Sequence, residues 1–511
     1  MILQREKEVR VFGDAEDGHR IRVEIDGLTS DALAKDGRFV VRLPKHPAGG
    51  PYIMTVTEET AGTPSENSKI VLQDICFGEV WIDNGQSNIE FEIQNARGGR
   101  EELETADLPM VRYFKCIKTP VIDDDVIEQE KWQQWKPLTG GQFRDMSGVA
   151  YFFAKKLHAA LGVPVGIVDC YQGGTSISCW LSEERLSRYP EGRVYQEDFA
   201  AAIQGQSEED YDRLLLEYNA MVEKHLRLSQ EAKEKNPDIS PEELRAVAGD
   251  YPWPPPQGLR SAFRPGGLYH TMLERIAPFA ARGILYYQGE EDSPKASGYA
   301  VLLSELIREF RDLFEDEALP VTILQLPMFI GRNCEDMRDW AYLREAQEQA
   351  VLGARDTILV PLIDCGEYDN VHPLDKKTPG ERTAQEVLES VYGNHKDGGR
   401  SMRVREVQWK RSEVEIHFAN TYGSIRIGEN ELFDLRKEKG GKEAAHVYGF
   451  EVHQVGREDW VVPRVVLEQE AVRLQTDQPI DGIRYGFFNY GKVNLYNAEG
   501  LPLCPFRRMK Y

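Results

Sequence analysis

The chain has 511 residues, with 62 lysines and arginines against 85 aspartates and glutamates and a formal net charge of −23 at pH 7. That balance repels nucleic acid and anionic lipid, and no apolar run of about 18 residues offers a membrane span. The seven cysteines are scattered without a Cys-x-x-Cys pair; they read as buried thiols rather than a disulfide framework. Because no apolar leader follows Met1, the expected compartment is the cytoplasm.

Length alone predicts about three domains. Residues 1–75 carry short alternating runs, Glu8-Val-Arg-Val-Phe, Arg20-Ile-Arg-Val-Glu-Ile and Phe39-Val-Val-Arg-Leu. Turn signals such as Asp17-Gly18 and Gly49-Gly50-Pro51 separate them, which predicts a small β-sandwich-like domain. From 76 to 395 the pattern changes. Apolar runs at Glu79-Val-Trp-Ile, Val163 to Val168, Gly283-Ile-Leu-Tyr-Tyr, Val321 to Leu326 and Thr357 to Ile363 alternate with helical stretches. Helices are expected over Val149 to Leu161, Tyr299 to Leu313, Arg344 to Leu352 and Gly380 to Tyr392. This alternation predicts an α/β domain with a parallel sheet. Residues 183–262 read as a charged helical insertion that ends in Tyr251-Pro-Trp-Pro-Pro-Pro. A lid, a spacer and an interface are equally good accounts of it. Beyond 396, segments such as Val414-Glu-Ile-His-Phe and Ser424-Ile-Arg-Ile predict a second β domain to 511.

Ligands bind beyond the carboxyl ends of the strands in open α/β sheets. Four loops here follow apolar runs and carry suitable chemistry. The first, Asp83-Asn-Gly-Gln-Ser87-Asn88, can expose a serine hydroxyl. It lacks the Gly-x-Ser-x-Gly elbow, since position 89 is Ile, so an ordinary α/β-hydrolase is disfavoured. The second, Tyr171-Gln-Gly173-Gly174-Thr, lets a backbone N–H approach a ligand closely. The third, Tyr287-Gln288-Gly289-Glu290-Glu291-Asp292, offers the Gln288 amide to an oxyanion. Glu291 and Asp292 read most simply as solvated acids at a helix N-terminus. In the fourth, Asp369-Asn-Val-His372-Pro, a carboxylate three residues before an imidazole can set its tautomer. Each motif alone is more simply a turn; their joint placement carries the reading.

The remaining histidines form no His-x-x-x-His pair and there is no cysteine cluster, so no catalytic metal is expected. His270, before a helical stretch, and Arg344, in Trp340-Ala-Tyr-Leu-Arg344-Glu-Ala-Gln347, are candidates to line the site. For Arg344 the attraction is a substrate carboxylate, and the simpler reading is a surface ion pair. Trp81 and Trp180 read as packing residues.

These four loops, in this order, resemble the blocks of the SGNH (GDSL-like) hydrolases, in the wording of the sialate O-acetylesterase branch. Gly78-Glu-Val-Trp with Gly85-Gln-Ser-Asn, Pro164-Val-Gly with Gly173-Gly-Thr, Tyr287-Gln-Gly-Glu, and His372-Pro with Gly380-Glu-Arg carry the likeness. Met1-Ile-Leu-Gln-Arg, Ala48-Gly-Gly-Pro-Tyr, Asn494-Leu-Tyr-Asn-Ala-Glu-Gly-Leu-Pro and Pro505-Phe-Arg extend it to both ends. The resemblance implies a flavodoxin-like three-layer αβα domain flanked by the two β-sandwich-like domains. It implies Ser87 as nucleophile, His372 as general base and Asp369 as its orienting carboxylate. The Ser87 N–H, the Gly173 N–H and the Gln288 side chain would form the oxyanion hole. Gln86, Asn88, Gly174, Glu290, Arg344 and His270 would contact an O-acetylated sugar. No cofactor is implied, and neither nucleic acid nor membrane is expected as a partner. Two wordings depart from the superfamily: Gly-Gln-Ser stands for Gly-Asp-Ser, and Gln288 stands for the third-block Asn. An esterase of acetylated xylan is the nearest rival. A non-catalytic sugar-binding protein and a glycosidase using Glu290 are rivals of other classes.

Overall fold

The fold is organised about one long strand, Thr63–Gly85. The structure, a computed structural model, describes residues 1–60, 63–236, 239–332, 334–428 and 446–510. The first part of this strand pairs antiparallel with Gly49–Thr60, and residues 76–78 pair in parallel with Ile2–Gln4. Residues 79–85 then enter the central sheet, flanked in parallel by Val165–Tyr171 and Gly283–Tyr287. The composition change expected at 75/76 therefore falls inside a continuous strand. Gly49-Gly50-Pro51, expected as a turn, instead opens the strand Gly49–Thr60 and pairs with Phe77.

The order across the central sheet is Thr357–Val360, Val321–Leu324, Gly283–Tyr287, Thr63–Gly85, Val165–Tyr171, Leu108–Lys115, Lys136–Leu138. All neighbours are parallel except the last pair. The sheet is thus mixed. Val165–Tyr171 and Gly283–Tyr287 are buried at every position, which is why they read as continuous apolar runs. Helices Gly148–Leu161 and Lys377–Tyr392 pack together, as do Ala296–Leu313 and Asp339–Leu352. Each starts within a turn or so of its expected position and ends where expected. Ser147 caps the first by accepting the Ala150 N–H at 3.1 Å, and Gly162, in the left-handed region, ends it.

Three apolar cores result. One surrounds the central sheet, with Trp81, Phe153, Ile167, Leu285 and Ile323. A second holds Leu3, Val23, Val41 and Phe77. A third lies among residues 402–506 and draws in Met328 and Ile363 from the central region. Its strands form two four-stranded sheets and a small pair. The insertion contains helices Pro190–Ala202, Glu208–Lys235 and Pro241–Ala248. Among the described residues no helix is long and apolar enough to cross a membrane. The seven cysteines are free, and all but Cys334 are buried.

Candidate active site

The register of the central strands brings three of the four loops to one edge. Gly85 lies opposite both Tyr171 and Tyr287, so the first three loops leave the sheet at the same level. Only glycine fits at 85. Its φ is +135°, and a Cβ there would stand 2.1 Å from the Tyr287 carbonyl oxygen. The chain then turns into the short helix Ser87–Glu90, with Ser87 at its first position. An N–H there has no acceptor within the helix and is free to donate outward.

Ser87 Oγ and His372 Nε2 are 2.7 Å apart. This joins the first and fourth loops across 285 residues of chain. Both side chains are half-buried. Burial, and then the charge of Lys376, push the His372 imidazole down to about 4. It is therefore neutral at pH 7, the form that can accept the serine proton. The backbone N–H of His372 donates to Asn370 Oδ1 at 3.2 Å, and Asn370 Nδ2 donates to Glu367 at 2.7 Å. These bonds shape the turn that presents the ring.

Asp369 is not on the imidazole. Its Oδ1 accepts the Arg332 backbone N–H at 2.7 Å. Its Oδ2 accepts Arg332 Nε at 2.9 Å and an Arg245 guanidinium nitrogen at 3.3 Å. Burial alone would raise this carboxyl, but the Arg332 and Arg245 contacts outweigh it and hold it below the ordinary carboxylate value. Its φ of +58° belongs to the left-handed region, which turns the side chain toward the arginines. The direct Asp369–His372 bond expected from the spacing is absent from this conformation. Two competing guanidinium donors are the physical reason.

The oxyanion donors also depart from expectation. The Gly173 N–H is beside the nucleophile, since a Cβ on Gly173 would lie 3.5 Å from Ser87 Cβ. Its donor is taken up by a Glu90 carboxylate oxygen. The other oxygen of Glu90 accepts from Lys118, whose ammonium sits 5.1 Å from the centre of the Tyr171 ring. Gln288 is fully buried, and its amide nitrogen donates to the Thr175 carbonyl at 2.9 Å and to Asp292. Its oxygen accepts Tyr299 and Tyr286 hydroxyls at 2.7 and 3.1 Å. This side chain knits the second and third loops together and has no amide hydrogen left for an oxyanion. Asp292, expected in solvent, is the buried partner of Gln288, Tyr195 and the Ile177 N–H. Burial chiefly raises its carboxyl, to about 6.

The remaining candidates divide. Gln86 Oε1 accepts the N–H groups of Gly289 and Glu291 at 3.2 and 3.4 Å, so it fastens the first loop to the third. Asn88 donates to Glu290 Oε1 at 2.6 Å and to the Val371 carbonyl at 2.9 Å, and accepts Lys376 Nζ at 2.7 Å. Glu290 is pushed up to about 7 and Lys376 down to about 7, burial being the main cause for each. Gly174 lies under the indole of Trp253. Arg344 is fully buried and donates to the carbonyls of Pro327, Gly486 and Phe488. It is not a surface ion pair: it is enclosed, its two terminal nitrogens are spent on backbone carbonyls, and its Nε is left without a partner. His270 is exposed and held by Glu183 and Glu274 at 2.8 and 2.7 Å. Neither contact touches the four loops. Trp81 and Trp180 are fully buried, as read from the sequence.

Glu90, Lys118, Lys376, Arg245 and Arg332 were not legible as site residues. Glu90 is three residues after Ser87 on the same short helix, so helical spacing could have found it; Lys376 caps the helix Lys377–Tyr392, outside any helical period with His372. Among the described residues no three His, Cys, Asp or Glu side chains group as metal ligands. A cavity of about 640 Å³ opens at the opposite, amino ends of the strands, lined by Lys7, Arg282, Asp356, Glu386 and Arg403 among others. It contains neither Ser87 nor His372.

Residues 255–389 match the family model described as carbohydrate esterase, sialic acid-specific acetylesterase. The sialate O-acetylesterase of Mus musculus is 25% identical over 383 residues, and that of Rattus norvegicus 24% over 382. Each alignment takes in 70% of this chain and 63% of the relative, so less than two thirds of those proteins is spanned. The human sialate O-acetylesterase is 30% identical over 167 residues, 31% of each chain. The crystal structure of a carbohydrate acetylesterase from Xanthomonas citri superposes with a TM-score of 0.73. It is 23% identical, and the match covers 100% of this chain and 97% of that one. These matches bear out the family resemblance and support a carboxylic ester hydrolase.

Proposed function

We propose that this chain is a serine carbohydrate esterase that removes O-acetyl groups from sialic acid through a covalent acetyl-Ser87 intermediate. The observation that carries the reading is the 2.7 Å contact between Ser87 Oγ and a neutral His372 at the carboxyl edge of the sheet. The family match over residues 255–389 supports sialate as the sugar. We further propose an SGNH-type three-layer domain over 76–395, with β domains over 1–75 and 396–511. The three separate apolar cores support that division. Six buried free thiols support a reducing compartment.

In this reading Ser87 Oγ attacks the acetyl carbonyl carbon while its proton passes to His372 Nε2. The carbonyl π electrons move onto oxygen, where the Ser87 N–H meets the charge. The Gly173 N–H joins it once Glu90 has swung away. The tetrahedral centre collapses, and His372 returns the proton to the departing sugar oxygen. A water then attacks acetyl-Ser87 with the same imidazole as base, releasing acetate. Asp369 acts as a positioning residue, through the turn that Arg332 and Arg245 hold.

The test is acetate release from 9-O-acetyl-N-acetylneuraminic acid and, in parallel, from acetylated xylo-oligosaccharides. The parent is expected to prefer the former, and Ser87→Ala to abolish release from both. Full activity in Ser87→Ala would overturn the nucleophile, whereas preference for the xylan fragments would overturn sialate alone.

A further inference from the structure

The 183–262 insertion ends in a proline-rich segment whose one tryptophan, Trp253, lies on Gly174 of the second loop. A Cβ added to Gly174 would stand 1.9 Å from Trp253 Cη2 and 2.6 Å from Cζ3. The indole therefore lies directly on the backbone of the second loop, an approach that only glycine permits. Gly174 adjoins Gly173, whose Cβ position is 3.5 Å from Ser87 Cβ. Trp253 and Ser87 thus touch adjacent residues of the second loop.

Trp253 is braced from several sides. Phe263 meets it edge-on, with ring centroids 5.8 Å apart and planes at 84°. Pro252 and Pro254 to Pro256 restrict the backbone on both sides of it. Tyr218, on the helix Glu208–Lys235, donates its hydroxyl to the Pro252 carbonyl at 3.2 Å. From the same insertion, Arg245 reaches Asp369 in the His372 turn. The insertion is tied to the second and fourth loops at once. Despite this bracing, Trp253 remains 45% exposed. A large aromatic surface held against the second loop, yet left open to solvent, packs less fully than the buried Trp81 or Trp180. Its shape suits the apolar C–H face of a sugar ring.

We propose that Trp253 is the platform on which the pyranose ring of the acetylated substrate stacks, a specificity-determining residue supplied by the insertion. The proposal rests on the esterase reading of Ser87 for its substrate class. It is tested in two arms. In the Ser87→Ala protein, binding of 9-O-acetyl-N-acetylneuraminic acid is measured by calorimetry with and without Trp253→Ala and Trp253→Phe. Trp253→Ala is expected to weaken binding about tenfold, equal to about 1.4 kcal/mol, and Trp253→Phe by less. In the catalytically intact protein, kcat and KM are compared for the same sugar and for ethylene glycol monoacetate, which has no ring. The loss on the sugar should exceed the loss on the glycol ester by about tenfold and appear in KM. Equal losses on the two esters would make the indole a mere support for Gly174 and overturn the platform. Absence of sugar binding in Ser87→Ala with Trp253 retained would overturn it too. Continued hydrolysis by Ser87→Ala would instead overturn Ser87 as the nucleophile, and the comparison of the two esters in the Ser87 protein, which does not use that variant, would then decide the platform.

Discussion

The acid limb of the pH profile is the sharpest consequence of the site. A general base works only when unprotonated, so kcat/KM falls as pH drops through the pKa of the free enzyme's imidazole. Burial, seconded by Lys376, moves His372 from 6.5 to about 4. At 1.36 kcal/mol per pKa unit, this disfavours the imidazolium by about 3 kcal/mol. The sign is fixed by the neutral form being the active one: a lowered pKa extends activity toward acid. A carboxylate on Nδ1 would act the other way, stabilising the imidazolium and raising the limb. Asp369, held by Arg332 and Arg245, does not supply that contact here. Steady-state acetate release from 9-O-acetyl-N-acetylneuraminic acid between pH 3 and 9 is therefore expected to show its limb near 4. In Asp369→Asn the limb should keep its position while the rate falls, because only the turn is weakened. Glu290, pushed up to about 7, could imprint a separate limb, and Glu290→Gln identifies it by removal. A parent limb at 6 or above that survives Glu290→Gln and drops in Asp369→Asn would refute the reasoning. It would mean that the carboxylate sits on the imidazole during turnover.

Three further outcomes follow from the same contacts. Glu90→Ala frees the Gly173 N–H, so kcat/KM should rise several-fold and acetate should inhibit more tightly; a hundredfold fall, the scale of a lost oxyanion donor, would make Glu90 part of the chemistry. Arg344→Met leaves the carbonyls of Pro327, Gly486 and Phe488 without their donor, each at about 1–3 kcal/mol. The expected result is a melting midpoint lower by about 5 °C or more with KM unchanged, and a raised KM at an unchanged midpoint would return Arg344 to the substrate. Gly85→Ala must displace the Tyr287 carbonyl and adopt a φ of +135°, so soluble expression should be lost; a well-folded variant would show that the first turn is laxer than the strand register implies.

The sequence exposed the site where local pattern decides structure. Strands buried on both faces stand out as continuous apolar runs, and the glycine-rich loops after them follow from the sheet's parallel sense. Leu108–Lys115 escaped notice because it alternates only loosely and contains Pro109 and Arg112, and Lys136–Leu138 because three residues carry no period. Side-chain assignments failed wherever a distant partner intervened. Asp369 and Arg245 are 124 residues apart, and nothing within Asp-x-x-His announces the competing guanidinium. Gln288 looked like a free amide because Thr175, across the sheet, and Asp292, one turn on, reveal themselves as acceptors only after folding. Arg344 looked like a surface residue because the C-terminal carbonyls that bury it come from more than 140 residues away.

Several polar groups around Ser87 share one property that the net charge of −23 foreshadows: they are already matched by an acid. Glu90 covers the Gly173 N–H and neutralises Lys118, Glu290 takes the Asn88 amide, and Asp292 takes Gln288. Arg245 and Arg332 are spent on Asp369. Were the substrate a sugar carboxylate, it would meet Lys118, Arg245 and Arg332 already paired, and binding at any of them would exchange one carboxylate for another. Such an exchange costs little in Coulomb energy, since one carboxylate replaces another, and it couples binding to chemistry. The carboxylate that must leave Lys118 is the same one that covers the Gly173 N–H. An anionic substrate that displaces Glu90 would thereby uncover the oxyanion donor beside Ser87, whereas an uncharged ester would have to reach the serine with Glu90 still in place.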